Sequence, residues 1–504
     1  MAFRIFIHIL IPALFFLSFQ FKSAGIAFIP IYSFMLYFLA PKRKPFRSAF
    51  LIFFVFWLLM LYWLLFINVD LNVLQRVLIG FGWVFLSALM GLVWSFPYSF
   101  ISLKKNEIYL LPVALSATEF LLSFSRDLSF LWVTPSTAVI DYPVMVQSAD
   151  LGGSYLVSLL VIMFSVVLFK MFSKKRAPLE KMLFALLAFA VVIYGAKRMS
   201  EDYTGDKINV TVVQPNIPGE MKESYREFVE YRFASIKENL KAAAEQSGDV
   251  VIFPETASPV YLTKRANNEI RDYLLNFADS TGKAIIIGGL TYEYGKKNED
   301  DRYYNSAFYI SKGETIESYH KIRCVPFVER MPYEEKLRIL KKIDYGQGGY
   351  SVGESQIPFD RDGIAISAYI CFESIFPSYV AGFSRSKSKL LVNISEDAWF
   401  IKSIGARQHY QAGILRAVEN RKYLIRCSNP GISAVVDPCG RVLYSTKLNS
   451  AEVFTYEVAL LEKEAFFASS KNLLPKIFLF ITLLTLIAKI IRRKNDKSKT
   501  ENSA

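Results

Sequence analysis

The sequence contains little histidine and little cysteine, with three histidines and four cysteines in 504 residues. No CxxC pair occurs, and no group of potential ligands has zinc-site spacing. We therefore expect no metal and no other cofactor. The four cysteines, Cys324, Cys371, Cys427 and Cys439, do not have the spacing of a disulfide framework. We expect Cys371 to be free and leave open one bridge among the other three.

Several common motifs are also missing. The chain has no P-loop, no GxGxxG and no GxSxG, which argues against the nucleotide-binding and hydrolase classes that these motifs mark. A cysteine–histidine dyad would have to use His320 or His409, because His8 lies in an apolar run. The net charge of +14 comes largely from loops between apolar runs. No basic cluster occurs elsewhere, so we expect no nucleic-acid partner.

Long apolar runs are abundant instead. Hydrophobic residues make up 53% of the chain, which includes 43 phenylalanines, and about 20 apolar residues suffice to cross a bilayer. We predict a membrane α-helical bundle of eight spans. The spans are residues 4–20, 24–40, 48–67, 77–103, 108–124, 154–173, 181–196 and 473–491.

Basic residues predict the orientation of these spans. Loops rich in lysine and arginine follow the second, fourth, sixth and last spans, whereas the alternate short loops carry only Lys22, Arg76 and Arg126. Because basic loops stay on the cytoplasmic side, both termini are predicted to be cytoplasmic. The long polar stretch between spans seven and eight then faces outward.

This outward stretch has the pattern of an α/β domain. Apolar runs predict strands at 208–213, 250–253, 284–289, 306–311, 364–370, 390–395 and 432–436, with a hairpin turn at 437–441. Helical spacing predicts helices at 223–245, 265–280 and 407–421. This alternation indicates layered sheets and helices. We expect three parts: the bundle at 1–200, the outward domain at 201–465, and the eighth span with a basic tail at 466–504.

Three reactive side chains follow apolar strands of this domain: Glu255, Lys321 and Cys371. A thiol forms a covalent intermediate when a base takes its proton and a positive group stabilises the oxyanion. A buried glutamate can serve as the base, and a nearby ammonium can also lower the pKa of the thiol. Taken singly, the three could also be a helix cap, a surface charge and a small core residue.

Three short motifs resemble those of the nitrilase, or carbon–nitrogen hydrolase, superfamily. They are Phe253-Pro254-Glu255, Tyr319-His320-Lys321 and Ile370-Cys371-Phe372-Glu373. The resemblance implies an α-β-β-α sandwich with a catalytic triad. Glu255 would be the general base, Lys321 the oxyanion partner and Cys371 the nucleophile.

The layout of the whole chain is similar to that of the apolipoprotein N-acyltransferase family, with the sandwich inserted between spans seven and eight. Residues 147–153, 212–218, 324–329, 393–400 and 416–421 resemble that family as well. By this resemblance, Glu329 and Glu373 are supporting carboxylates, and the backbone N–H of Phe372 is a second oxyanion donor. In the loop near the site, Glu396 and Asp397 are predicted to be structural.

The resemblance also implies a reaction. Cys371 would take a fatty acyl group from a membrane phospholipid as a thioester and pass it to the N-terminal amine of diacylglyceryl-cysteine on apolipoproteins. The expected location is the inner membrane of a bacterium, with the catalytic domain on the periplasmic face. The expected partners are the phospholipid donor, the apolipoproteins and the bilayer, and we expect a monomer.

Two other functions stay open. A membrane-tethered amidase or nitrilase that hydrolyses small amides would share the triad, but would not explain seven preceding spans. A non-catalytic transporter or scaffold could use Glu119, an ionisable residue inside span five.

Residues 332–355 combine a short amphipathic segment with a Gly-rich loop. We predict a lid that opens toward the bilayer, with Leu337, Ile339 and Leu340 dipping into the headgroup region. An ordinary surface insertion is the alternative.

Overall fold

The computed structural model describes residues 2–67, 72–174, 177–217, 224–264, 268–295, 300–313, 315–337, 348–361, 363–400 and 403–501. Residues 338–347 of the predicted lid, with Ile339 and Leu340, lie outside the described residues. Leu337 is described and is exposed. The lid therefore stays a prediction.

The amino-terminal part is helical. Before the first strand the described residues form α1 (Ala2–Gln20), α2 (Phe28–Leu39), α3 (Pro45–Met60), α4 (Val73–Ser95), α5 (Leu111–Leu122), α6 (Pro135–Ala138), α7 (Pro143–Val146), α8 (Ala149–Ser173) and α9 (Pro178–Met199). The strands and the helices between them follow, and the chain then forms α14 (Phe466–Ser469) and α15 (Leu473–Glu501). Each of the eight predicted spans overlaps one of these helices.

Five helical segments among the described residues are long and apolar enough to cross a membrane: Pro45–Phe66, Val73–Ser99, Ala149–Ser173, Pro178–Met199 and Leu473–Asp496. Two more, Ile5–Gln20 and Gly25–Leu39, are apolar but shorter, and α5 has 12 residues. Five of the predicted spans thus have the length and composition of a span, while the count of eight stays a prediction. Large apolar side chains on these helices, such as Phe81 and Phe189, are exposed, as on a surface that faces lipid.

The described strands form two six-stranded sheets. The first has the order β12-β1-β2-β3-β4-β5 and the second the order β11-β10-β9-β8-β7-β6. Three adjacent strands run parallel inside each sheet, β1-β2-β3 and β7-β8-β9. The strands are β1 (Asp206–Gln214), β2 (Val250–Ile252), β3 (Ala284–Glu293), β4 (Arg302–Ser311), β5 (Thr315–His320), β6 (Phe359–Arg361), β7 (Ile364–Ile370), β8 (Leu390–Glu396), β9 (Leu424–Asn429), β10 (Ala434–Val436), β11 (Val442–Ser445) and β12 (Glu452–Leu460).

Alternation of apolar residues along the strands gives each sheet two buried faces. In β2, Val251 packs with the helices α10 (Tyr225–Ala244) and α11 (Glu269–Thr281), whereas Ile252 belongs to the core shared with the second sheet. The second sheet packs its other face on α12 (Pro377–Arg385) and α13 (Ile404–Asn420). The described residues therefore form the predicted α-β-β-α sandwich.

Buried polar contacts join the helical part to α13. The helix α8 is kinked at Gly152–Gly153, where Gly153 has a φ of +67° that favours glycine. The kink frees the N–H of Ser154, which donates to Glu419 of α13 at 2.7 Å. Just beyond α13, the Arg421 guanidinium donates to Gln147 Oε1 at 2.6 Å. The position of α13 therefore depends on the helical part.

Candidate active site

Glu255, Lys321 and Cys371 each follow a strand: β2, β5 and β7, respectively. Lys321 Nζ lies 3.2 Å from Glu255 Oε1. The charges of both residues act on the thiol of Cys371. The structure thus brings together the three residues that the sequence predicts as a triad.

Two buried carboxylates hold the ammonium. Lys321 Nζ is 2.7 Å from Glu329 Oε1 and 3.2 Å from Glu255 Oε1. Asn305 Nδ2 donates to the same two oxygens, at 2.7 Å to Glu255 and 3.1 Å to Glu329. The second oxygen of Glu255 accepts the backbone N–H of Glu396 at 2.8 Å. This network fixes the Glu255 carboxylate and the Lys321 ammonium relative to each other.

Lys321 is charged across the physiological pH range. Burial disfavours the ammonium, but Glu255 and Glu329 outweigh it and raise the pKa of Lys321 well above its usual value. Its backbone is also held, because its N–H donates to the carbonyl oxygen of Asn305 at 2.8 Å. A fixed positive charge therefore acts on the thiol of Cys371.

Cys371 occupies a strained turn. Its φ is +52°, in the left-handed region that residues with a side chain seldom adopt, and a short 3₁₀ helix, Cys371–Ile375, follows directly. The other three cysteines are buried, whereas Cys371 is partly exposed. Strain of this kind is common at functional sites. The turn presents this thiol to an incoming molecule.

The thiol is protonated at rest. Burial raises the pKa of Cys371 well above its ordinary value, and the charge of Glu255 adds to this, while Lys321 acts in the opposite direction. The lowering effect expected of Lys321 is therefore present but does not prevail. A protonated thiol needs a base that takes its proton during attack.

Glu373 connects the turn Cys371–Ile375, called the nucleophile turn below, to the loop after β5. Its carboxylate is fully buried, and burial raises the pKa of Glu373 although the donors around it oppose the shift. Losing this carboxylate would release both Cys371 and Lys321 from their neighbours. The donors are the N–H groups of Ile322 (2.7 Å), Arg323 (3.0 Å) and Ile370 (2.8 Å) and the hydroxyls of Tyr319 (2.7 Å) and Tyr379 (2.9 Å).

Glu396 and Asp397 bind other buried groups near the site, consistent with structural roles. Asp397 pairs with Arg426 at 2.7 Å and with His409 at 2.8 Å. Burial disfavours the carboxylate, but Arg426 and His409 lower the pKa of Asp397 well below its usual value. Glu396 accepts a hydrogen bond from Asn429 at 3.1 Å, and burial raises the pKa of Glu396 to about 8.

The two histidines of the sandwich bind atoms other than the thiol. His320 Nδ1 is 2.8 Å from Ser306 Oγ, its ring stacks on Tyr304, and burial lowers the pKa of His320. His409 Nε2 is 3.1 Å from the backbone oxygen of Cys371. Neither arrangement is that of a cysteine–histidine dyad.

All four cysteines, each within the described residues, are free thiols. Cys427 lies between the two sheets, where its Sγ donates to the carbonyl oxygens of Val213 at 3.2 Å and Ile252 at 3.4 Å. Burial raises the pKa of Cys324, Cys427 and Cys439. Exposure therefore distinguishes Cys371 from the rest.

Glu119 faces the sandwich. It is buried in α5 and lines a small cavity together with Ser154 and Tyr155 of α8 and Arg416 of α13. This position places it at the junction between the helical part and the sandwich.

Residues 209–464, just over half of the chain, match the family model described as carbon-nitrogen hydrolase. The chain belongs to the carbon-nitrogen hydrolase family. Within that family it also carries, at residues 13–167, a match to the apolipoprotein N-acyltransferase N-terminal domain. The pairing of the two domains agrees with the resemblance seen in the sequence.

Three relatives named apolipoprotein N-acyltransferase illustrate the match. The protein of Geobacter metallireducens is 33% identical over 335 residues, which cover 64% of this chain and 63% of that protein. That of Rickettsia prowazekii is 33% identical over 314 residues, covering 61% of each chain. That of Aquifex aeolicus is 29% identical over 354 residues, covering 70% and 76%. The match thus spans less than two thirds of the first two relatives.

Two solved carbon–nitrogen hydrolases align with about half of the chain. A CN-hydrolase superfamily protein from Xanthomonas campestris aligns with a TM-score of 0.38 and 15% identity, covering 50% of this chain and 91% of that one. The carbon-nitrogen hydrolase of Helicobacter pylori G27 aligns with a TM-score of 0.36 and 16% identity, covering 51% and 90%.

Proposed function

We propose that the protein transfers a fatty acyl group from a membrane phospholipid to the N-terminal amine of diacylglyceryl-cysteine on apolipoproteins. One observation carries this proposal: a thiol–carboxylate–ammonium centre is joined in one chain to the N-terminal domain of apolipoprotein N-acyltransferases. Glu255, Lys321 and Cys371 form the catalytic triad. The parts at 1–200, 201–465 and 466–504 are the bundle, the catalytic domain and the last span with its tail.

The first half-reaction acylates the enzyme. Cys371 Sγ attacks the ester carbonyl of the phospholipid while Glu255 takes the thiol proton. The oxyanion lies between the Lys321 ammonium and the backbone N–H of Phe372. When the intermediate collapses, the ester C–O bond breaks and the leaving alkoxide takes the proton from Glu255. A thioester on Cys371 and a lysophospholipid result.

The second half-reaction transfers the acyl group. The α-amine of the diacylglyceryl-cysteine attacks the thioester carbonyl and passes a proton to Glu255. The C–S bond then breaks, the amide forms, and the sulfur of Cys371 regains a proton. A thioester suits this step because amines attack it readily, while an apolar surrounding excludes competing water.

Two carboxylates support these steps without taking part in bond making. Glu329 holds the Lys321 ammonium at 2.7 Å, which leaves Glu255 with the longer contact and free to accept a proton. Glu373 holds the turn that carries Cys371 and Phe372, since it accepts the N–H of Ile370 at 2.8 Å.

The helical part gives a reason for lipid substrates. A helix of the length and composition of a span precedes the sandwich directly, and another follows it after α14. Substrates anchored in the bilayer can therefore reach the site while they stay in the bilayer. We place the protein in the inner membrane as a monomer, with eight spans, both termini cytoplasmic and the catalytic domain on the periplasmic face.

Mass spectrometry of the purified protein tests the proposal directly. Incubation with vesicles of a single defined phospholipid should add the mass of one acyl chain to Cys371 and release lysophospholipid. A diacylglyceryl-cysteine peptide added next should discharge that mass and become acylated. Hydrolysis of a small amide without any acyl adduct from phospholipid would instead favour the amidase function.

A further inference from the structure

His409 lies on the side of α13 that faces the nucleophile turn. Its Nε2 is 3.1 Å from the backbone oxygen of Cys371 and 3.0 Å from Ser374 Oγ. Its Nδ1 is 2.8 Å from Asp397 Oδ1. No step of the proposed reaction uses this buried imidazole, although it contacts the backbone of the nucleophile itself.

The partners of the ring decide where its protons lie. Asp397 is ionised, because Arg426 donates to its other oxygen at 2.7 Å, and the same guanidinium lies 3.1 Å from Nδ1 of His409. A carbonyl oxygen can only accept, so the contact with Cys371 is a hydrogen bond when Nε2 carries a proton. When Nε2 is bare, the Ser374 hydroxyl donates to it and the carbonyl of Cys371 loses this partner.

The residue before it, Gln408, faces the helical part. Gln408 Oε1 accepts the indole N–H of Trp132 at 2.6 Å and of Trp63 at 3.1 Å, and its Nε2 donates to the backbone oxygen of Met60 at 3.2 Å. Trp132 also stacks on the imidazole of His409, with centroids 5.2 Å apart and planes at 18°. One indole of the helical part thus contacts two consecutive residues of α13.

We propose that His409 is a positioning residue for the oxyanion site: its Nε2–H holds the carbonyl of Cys371, and Trp132 and Gln408 hold His409 against the helical part. The inference rests on the proposed function, because an oxyanion arises only if Cys371 attacks a carbonyl.

The peptide bond carries the effect from one side of the turn to the other. The carbonyl of Cys371 and the N–H of Phe372 belong to the same planar, trans peptide unit and point in opposite directions. Fixing the carbonyl on one side therefore fixes the N–H on the other, where the oxyanion would lie. A hydrogen bond to the carbonyl also polarises the peptide and strengthens its N–H as a donor.

Groups from several elements surround the imidazole. The charged groups are Asp397, which follows β8, and Arg426 of β9. The uncharged polar groups are the Ser374 hydroxyl and the Cys371 carbonyl, both on the nucleophile turn. Trp132 stacks on the ring, and Phe400 packs against it in a T-shaped contact. Glu255 and Lys321 act on the Cys371 thiol from the other sheet.

Two reactions of the Cys371 thiol distinguish a loss of oxyanion positioning from a general distortion of the site. Attack on p-nitrophenyl butyrate forms an oxyanion, whereas alkylation by iodoacetamide forms none. In the full-length protein, His409→Leu should slow acylation by the ester up to about 100-fold and change alkylation little. His409→Gln keeps an N–H donor and should recover part of the rate.

His320→Leu is a matched control, because His320 is also a largely buried imidazole with a serine partner and an aromatic ring stacked on it. Acylation in this control should stay near that of the unmodified protein. Gln408→Leu removes the acceptor of both indoles and should slow acylation in the same sense as His409→Leu. The acylation and alkylation rates are compared among variants with the same thermal unfolding midpoint.

The outcomes are distinguishable. Equal loss of acylation and alkylation in His409→Leu, or equal loss of acylation in His409→Leu and His320→Leu, would overturn the positioning role. Normal acylation in His409→Leu would overturn it as well, while leaving the proposed function intact. Absence of any acyl adduct on Cys371 in the unmodified protein would refute the proposed function, and the inference with it.

Discussion

The Lys321 ammonium lies closer to Glu329, at 2.7 Å, than to Glu255, at 3.2 Å. The carboxylate that holds the lysine most closely is therefore not the proposed base. Two carboxylates thus share one ammonium, and Glu255 has the longer of the two contacts.

Replacing the nucleophile should separate Cys371 from the other cysteines. Cys371→Ala removes the only thiol that is partly exposed and should abolish acyl-enzyme formation with membrane insertion unchanged. Mass spectrometry after incubation with phospholipid measures this. Cys324→Ala, Cys427→Ala and Cys439→Ala are the controls and should keep the adduct. A thioester found in Cys371→Ala would move the nucleophile elsewhere.

Replacing the base or the ammonium should slow the first half-reaction. Glu255→Gln cannot accept the thiol proton, and Lys321→Ala removes the charge that stabilises the oxyanion, which typically costs ~10²–10³ in rate. Single-turnover acylation of Cys371 by a phospholipid in vesicles reports the loss. Unchanged rates in either variant would exclude that residue from the triad.

Neutralising Glu329 should loosen the lysine without removing it. Glu329→Gln takes away a charge that raises the pKa of Lys321 and weakens the contact that holds its Nζ. A charge-assisted hydrogen bond contributes about 1.5–3 kcal/mol, so acylation should slow roughly 10- to 100-fold. Glu334→Gln, whose partner Arg330 lies in the same segment, is the control. Equal effects in the two variants would contradict a specific role of Glu329.

The pH dependence of thiol alkylation should report the charges around Cys371. Glu255 raises the pKa of the thiol and Lys321 lowers it. Glu255→Gln should therefore shift the iodoacetamide profile to lower pH, and Lys321→Ala should shift it to higher pH. The measurement uses a background in which the other three cysteines are alanine. Shifts in the same direction would show that neither charge acts on the thiol as described.

Removing one donor to Glu373 should cost stability. Tyr319→Phe deletes a hydroxyl that donates to this buried carboxylate at 2.7 Å, and leaving a buried polar group short of a partner costs about 1–3 kcal/mol. Thermal unfolding of the detergent-solubilised protein should shift to lower temperature. Tyr292→Phe, which loses an exposed bond to Asp301, should change it little. Equal shifts of the unfolding temperature in the two variants would mean that the hydrogen bond from Tyr319 stabilises the fold no more than the exposed one.

The sequence predicts this fold best where local pattern and burial agree. The strands β1 to β4, β7, β8 and β10 and the helices α10, α11 and α13 have counterparts among the predicted elements, and so does the turn of residues 437–441 between β10 and β11. By contrast, β5, β6, β9 and β12 have none. The strand β12 is stabilised by pairing with β1 across the chain, from Asp206–Leu460 to Gln214–Glu452, and no local window of sequence contains that information.

The residues of the site also divide into those that the sequence predicts and those that it does not. Glu255, Lys321 and Cys371 stand out because each follows an apolar strand within a recognisable motif. Asn305 gives no such signal, although it bridges Glu255 and Glu329. Its position near these carboxylates depends on the antiparallel pairing of its strand, β4, with β3. The sequence offers His409 only as a possible member of a cysteine–histidine dyad. Its contact with the Cys371 carbonyl follows from the packing of α13, which sequence spacing cannot show.

The strand that leads into the sandwich pairs with the strand that leads out of it, since Asp206 lies opposite Leu460. Antiparallel neighbours of this kind stand about 5 Å apart, so the chain enters and leaves the sandwich at one spot. A short Gly-Ser linker in place of the sandwich would therefore close α9 onto α14 and α15 at small entropic cost.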